Sequence, residues 1–295
     1  DQAHNNNPFI AQTQQQTTNH MRYPTLFVNH GGGPLPLMGR DPDLVLRMKE
    51  AVSKWLPKEK PKSIVMISAH WESDPIKITS HPNPPMLYDY YGFPPETYEY
   101  QYPAPGNPSL AVQIQKLLQD QGLPAQLDAK RGFDHGVFVP LMVMYPDADI
   151  PVVSVSLHSS LDAQTNWNLG RALAPLRDEG VLILGSGYTF HNMNAFFNPS
   201  PATKRASTEF NRWLMDTLVT KSSDTSNNND VLKHAISHWH QAPGARECHP
   251  REEHLLPLFV TAAAGSDDQG AVNTTLLYET PASGKDHAVS SFMFD

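Results

Sequence analysis

The chain has 295 residues, of which 39% are hydrophobic and 18% charged, and a formal net charge of −8. That length fits one large α/β domain or two small ones, and the acidic balance argues against a nucleic-acid partner. A single cysteine, Cys248, rules out an intrachain disulfide and any thiolate-rich zinc cluster, and no apolar run reaches the ~18 residues that cross a bilayer.

Residues 1–22 are rich in Asn and Gln, with no basic stretch leading into an apolar one, so they are not an intact secretory signal. They read as a disordered or processed leader to a single domain over 23–295. The lone cysteine favours a cytoplasmic setting.

A strand is expected at 25–29, then a helix at 43–56 and strands at 63–68 and 76–79. Residues 81–108 are packed with Pro, Tyr and Gly and hold neither element for long. Their tyrosines are costly to leave in water, which predicts an ordered loop packed over a functional site. A helix follows at 108–121, where Leu110, Ile114, Leu117 and Leu118 fall at helical spacing. Further on come an apolar helix after His135, a strand at 152–156, a helix at 162–177, a strand at 181–185 and a helix at 202–219. A polar surface loop at 221–230, a helix at 251–264 and a strand at 289–294 complete the pattern. Such alternation predicts a single α/β domain with a central, mostly parallel or mixed sheet flanked by helices.

Fourteen histidines are more than such a chain usually carries. His30, His70 and His191 each stand at the end of a strand-like apolar run, in TLFVNHGGGP, SIVMISAHWES and VLILGSGYTFHN. Ligands of open α/β sheets bind beyond the carboxyl ends of the strands, and imidazole is the commonest metal ligand among side chains. The three therefore suggest a metal centre, against the blander reading of histidines bonded to backbone. His135, on a Gly-flanked turn before an apolar helix, is placed like a general acid or base. In ECHPREEHLLPLFV, Pro250 favours a helix start, Glu252 and Glu253 suit its first turn, and His254 follows within it. Glu253 is a possible carboxylate ligand, with a dipole-complementing surface acid as its plainer reading. His234, His238 and His240 include an i, i+4 pair able to bind zinc, but they follow a polar stretch and read better as a solvated helix.

Taken together these motifs resemble the class III extradiol ring-cleaving dioxygenases, in particular their 4,5-DOPA dioxygenase branch. The resemblance is carried by NHGGGP (29–34), SAHWE (68–72), YDYYGFPPETYEYQYPAPG (88–106), GFDHG (132–136), YPDADIPVV (145–153), the GSG…HN segment (185–192) and EEHLLPLFV (252–260). It implies metal ligation by His30, His70 and His254, with His191 a fourth imidazole at or beside the metal and a catalytic partner of the acid/base His135. It also implies Fe(II) as the working metal, zinc as a possible bound ion, and a small catechol and O2 as substrates. The reaction would open the ring beside the diol to a muconate semialdehyde. Two other classes fit histidines at strand ends: a zinc hydrolase with Glu72 or Glu253 as its base, and a non-catalytic binding protein on the same fold.

Overall fold

The computed structural model describes residues 21–220, 228–267, 272–281 and 286–295. Residues 1–20 of the expected leader lie outside these, as does 221–227 of the expected surface loop; residues 228–230 instead open a helix, Asn228–Ser237. In chain order the strands are β1 (Thr25–Asn29), β2 (Ser63–Ser68), β3 (Glu72–Ser73), β4 (Ile76–Thr79), β5 (Ala125–Asp128), β6 (Val152–Ser154), β7 (Leu157–His158), β8 (Val181–Gly187), β9 (Thr274–Thr280) and β10 (Val289–Phe294).

Six strands form the central sheet in the order β6-β2-β8-β1-β10-β9. The first four run parallel; β10 is antiparallel to β1, and β9 to β10. The sheet is thus mixed, with a parallel majority. Both faces are covered, which is why these strands read as unbroken apolar runs. Phe27, Val65, Ile67, Val153 and Ile183 enter one core, with the helices Pro108–Asp120, Ala163–Leu173 and Leu256–Gly265. Leu26, Val28, Ile64, Met66, Leu182 and Leu184 enter the other, under the helices Pro42–Glu50 and His135–Met144. The two-residue alternation of each strand divides its side chains between these cores.

Four strands escape the sequence reading: the two-residue β3 and β7, and the longer β5 and β9. β5 (AQLD) and β9 (TTLLYET) mix polar and apolar residues, and most of their side chains are not fully buried. The last core helix also starts later than expected, at Leu256 rather than near Pro250. A helix running through His254 would bond its carbonyl to Leu258 N. Instead Tyr188 N takes that oxygen at 2.8 Å, and Leu258 N turns to Leu255 O. Pro257, with no N–H to give, occupies the first turn. His254 therefore sits in the tight turn ahead of the helix. Among the described residues no helix is long and apolar enough to cross a membrane.

Candidate metal centre

β8 lies between β1 and β2, and its last residues anchor a histidine on each side. His30 N donates to Gly187 O at 3.2 Å, and Ala69 N donates to Ser186 O at 3.0 Å, one residue before His70. The His30 ring is fixed by Ser186 Oγ, 3.0 Å from its Nδ1. Left-handed glycines follow His30, with φ of 82° at Gly31 and 57° at Gly33. The third arm comes from the turn before Leu256. A Cβ at Gly187 would overlap the carbonyl oxygen of His254, so only glycine lets that turn lie against the strand end.

The rings of His30, His70 and His254 form a nearly equilateral triangle, with centroids 5.0, 5.3 and 4.9 Å apart. One ring nitrogen from each lies within 4.8 Å of the other two. His30 Nε2 and His70 Nε2 are 3.2 Å apart. Metal–imidazole bonds of ~2.0–2.1 Å place neighbouring donor nitrogens about 3 Å apart, so this spacing fits a shared cation. Protonation supports the same conclusion. The Glu253 carboxylate can only accept, so His254 donates through Nδ1 at 3.0 Å and its Nε2 is left bare. Burial and the neighbouring imidazoles push His30 and His70 well below the ordinary histidine value. Burial takes His254 down to about 4 despite its bond to Glu253. Three neutral imidazoles, His30 and His254 buried and His70 half-buried, directed at one point with an oxygen behind two of them, are the arrangement of a metal-binding histidine set.

The other two predicted histidines join the same cluster. His135 begins the helix His135–Met144, and Asp89 holds it twice. Asp89 Oδ1 accepts from the His135 backbone N at 2.9 Å and lies 2.8 Å from its Nδ1. The His135 ring sits 4.0 Å from that of His70. The ring of His191 stacks on His254, 3.4 Å apart and within 14° of parallel, with its Nδ1 3.2 Å from Glu253 Oε1. His191 is not one of the three whose nitrogens converge; it shares a donor group with Glu253 and His254. Glu253 is thus neither a surface acid nor one of those three. Burial alone would raise its carboxyl, but the bonds from His191 and His254 hold it far below the ordinary range.

Sequence reasoning missed Asp89, which lies in the Tyr/Pro segment with no periodicity to mark it, and missed that Ser186 bonds His30. The segment does pack on the site, with the Tyr90 ring 5.9 Å from His135. The rival histidines His234, His238 and His240 are all exposed, as their solvated reading requires. Cys248 is buried in a core. Neither carboxylate proposed as a hydrolytic base is free: Arg251 grips both oxygens of Glu72 at 2.6 Å, and Glu253 is taken up by two imidazoles.

Comparison with known proteins agrees with this geometry. Residues 26–289 match the family model described as the catalytic LigB subunit of aromatic ring-opening dioxygenase. A 4,5-DOPA dioxygenase extradiol of Beta vulgaris is 39% identical, over 84% of this chain and 88% of the beet protein. One of Escherichia coli K12 is 35% identical, over 82% and 85%. A protein of Hapsidospora irregularis named only as a dioxygenase is 38% identical, over 83% and 79%. The crystal structure of an uncharacterized protein from Escherichia coli K12 superposes with a TM-score of 0.71 at 30% identity, covering 92% of this chain and 99% of that one. The chain belongs to the LigB family of class III extradiol dioxygenases, and it is a metal-dependent aromatic ring-opening dioxygenase.

Proposed function

We propose that the enzyme cleaves the catechol ring of a DOPA-like substrate beside its diol, with Fe(II) as the working metal held by His30, His70 and His254. The observation that carries this reading is the triangle of neutral imidazoles with the Asp89-bound His135 against one side. The relatives named as DOPA dioxygenases support the substrate class. An all-imidazole donor set suits iron, and it suits zinc more tightly, so a purified protein is expected to carry zinc unless iron is supplied.

When bound, Fe(II) supplies Lewis acidity toward the two phenolic oxygens and the electrons that O2 needs. The remaining work falls to the protein. His135 Nδ1 faces the Asp89 carboxylate, so Nε2 is the free position that takes the second phenolic proton. His191, with Nδ1 on Glu253, offers its other nitrogen to the oxygen side of the reaction. Tyr90 and the aromatic residues packed on it, Tyr98 and Phe93, wall the ring and exclude water. The product is a muconate semialdehyde, a seco-DOPA when the substrate is L-DOPA. Residues 23–295 act as one catalytic domain.

The test is anaerobic loading with Fe(II), followed by O2 uptake and visible spectra with L-DOPA and simple catechols. One O2 consumed per ring-opened product, abolished in His30→Ala and His70→Ala, is the expected result. No uptake with any catechol at a fully occupied iron site would overturn the proposal.

A further inference from the structure

Asp89 stands in a segment that has no regular structure apart from the short helix Pro95–Glu99. It is nevertheless held in register with the chain just ahead of His135. Leu87 N donates to Phe133 O and Phe133 N donates to Pro85 O, both at 2.8 Å. Further along, Tyr90 Oη donates to Thr97 O at 2.6 Å. Asp89 is thereby delivered to the first residue of the helix His135–Met144, where its Oδ1 meets both N–H groups of His135 and the helix dipole favours its charge. Its other oxygen, Oδ2, is 3.6 Å from His70 Nδ1.

The competing acid, Asp134, is engaged elsewhere. Ser68 Oγ donates to its Oδ1 at 2.7 Å, and Arg131 donates to its Oδ2 at 2.9 Å. Asp89 is therefore the only carboxylate bonded to the His135 ring among the described residues. Its Oδ1 takes the His135 backbone N–H, which can only donate, and so acts as an acceptor toward the neighbouring ring nitrogen as well.

We propose that Asp89 is a positioning residue for this enzyme. It fixes His135 as the Nδ1–H tautomer, sets the plane of its ring, and ties that ring to His70, so that the Tyr/Pro segment supplies a working part of the site as well as its cover. The proposal rests on His135 being the acid/base. A carboxylate holding a catalytic imidazole in one tautomer has a large effect, because exchanging it for an amide can preserve the geometry while reversing the proton's place.

The test compares wild type with Asp89→Ala, using 15N-histidine resonances of the zinc-loaded, diamagnetic protein, with His135 assigned by its loss in His135→Gln. In wild type the proton is expected on Nδ1; in Asp89→Ala that nitrogen loses its acceptor, and the proton shifts to Nε2, the tautomer an unconstrained histidine favours. In the iron-loaded protein, kcat with a catechol is expected to fall about 10²-fold or more, with KM and metal content changing less than threefold. A wild-type His135 protonated on Nε2 would overturn the proposal without any variant, as would an unchanged tautomer in Asp89→Ala. If wild type consumes no O2, the assigned reaction fails, and the resonance measurement still decides the role of Asp89.

Discussion

Replacing Gly187 with alanine tests how the third arm of the centre is held. The new Cβ would overlap the backbone oxygen of His254 and lie 3.1 Å from the Phe27 ring. A carbonyl cannot turn away like a side chain, so the turn must lift off the strand. Overpacking of this kind costs about 1–3 kcal/mol. Losing the bond from Tyr188 N to His254 O adds about 1 kcal/mol. Urea unfolding of the metal-free protein should therefore show about 2–4 kcal/mol of destabilisation at an unchanged m-value. Zinc competition titration should show at least a tenfold weaker site, because His254 moves with its backbone. Gly122→Ala is the control: its φ is +73°, but nothing lies within 4 Å of the added carbon. It should cost only the left-handed strain of about 1 kcal/mol and leave zinc affinity alone. If Gly187→Ala matches wild type in both stability and zinc affinity, the close approach of strand and turn is not what places His254.

Glu253→Gln should weaken zinc binding about 10–100-fold, since the carboxylate behind His254 sets its tautomer and basicity; a change below threefold would remove that role. His249 is buried, and burial lowers it to about 3 despite its bond to Thr189 O. Between pH 6.5 and that value the unfolded chain binds a proton that the folded chain does not. Its contribution is therefore intact above pH 6.5 and is lost as pH falls, by up to about 1.4 kcal/mol per unit. His249→Gln should flatten the change in urea midpoint between pH 7 and 5.5, and an identical slope in both proteins would count against it.

The histidines at the strand ends were legible because β1, β2 and β8 are buried on both faces. Continuous apolar runs such as SIVMIS stop where the chain leaves the sheet, and the site begins there. What stayed hidden depends on contacts between distant segments. Nothing near Asp89 in the chain announces its partner, His135, which is 46 residues away. Glu253 looked like a helix-start acid because Pro250 and the acids around it imitate that signal. The choice of Pro257 instead is made by Tyr188, which binds the His254 carbonyl from another element. β5 and β9 were overlooked because partly exposed strands lack the unbroken apolar run that marked the others.

The sheet divides the centre into unlike parts. His30 and His70 hang from the two parallel strands that flank β8, whose offset is locked by backbone bonds to Gly187 and Ser186. Their separation is a property of the sheet, as little adjustable as its strand spacing. His254 is carried by a turn outside the sheet, fastened by one backbone bond and by the Glu253 carboxylate. The grip is that of a vice with two fixed jaws and one sliding jaw. Changes in the chain ahead of Glu252 therefore reach the centre through this turn, and this is the arm on which metal preference and substrate fit can drift while the other two stay in place.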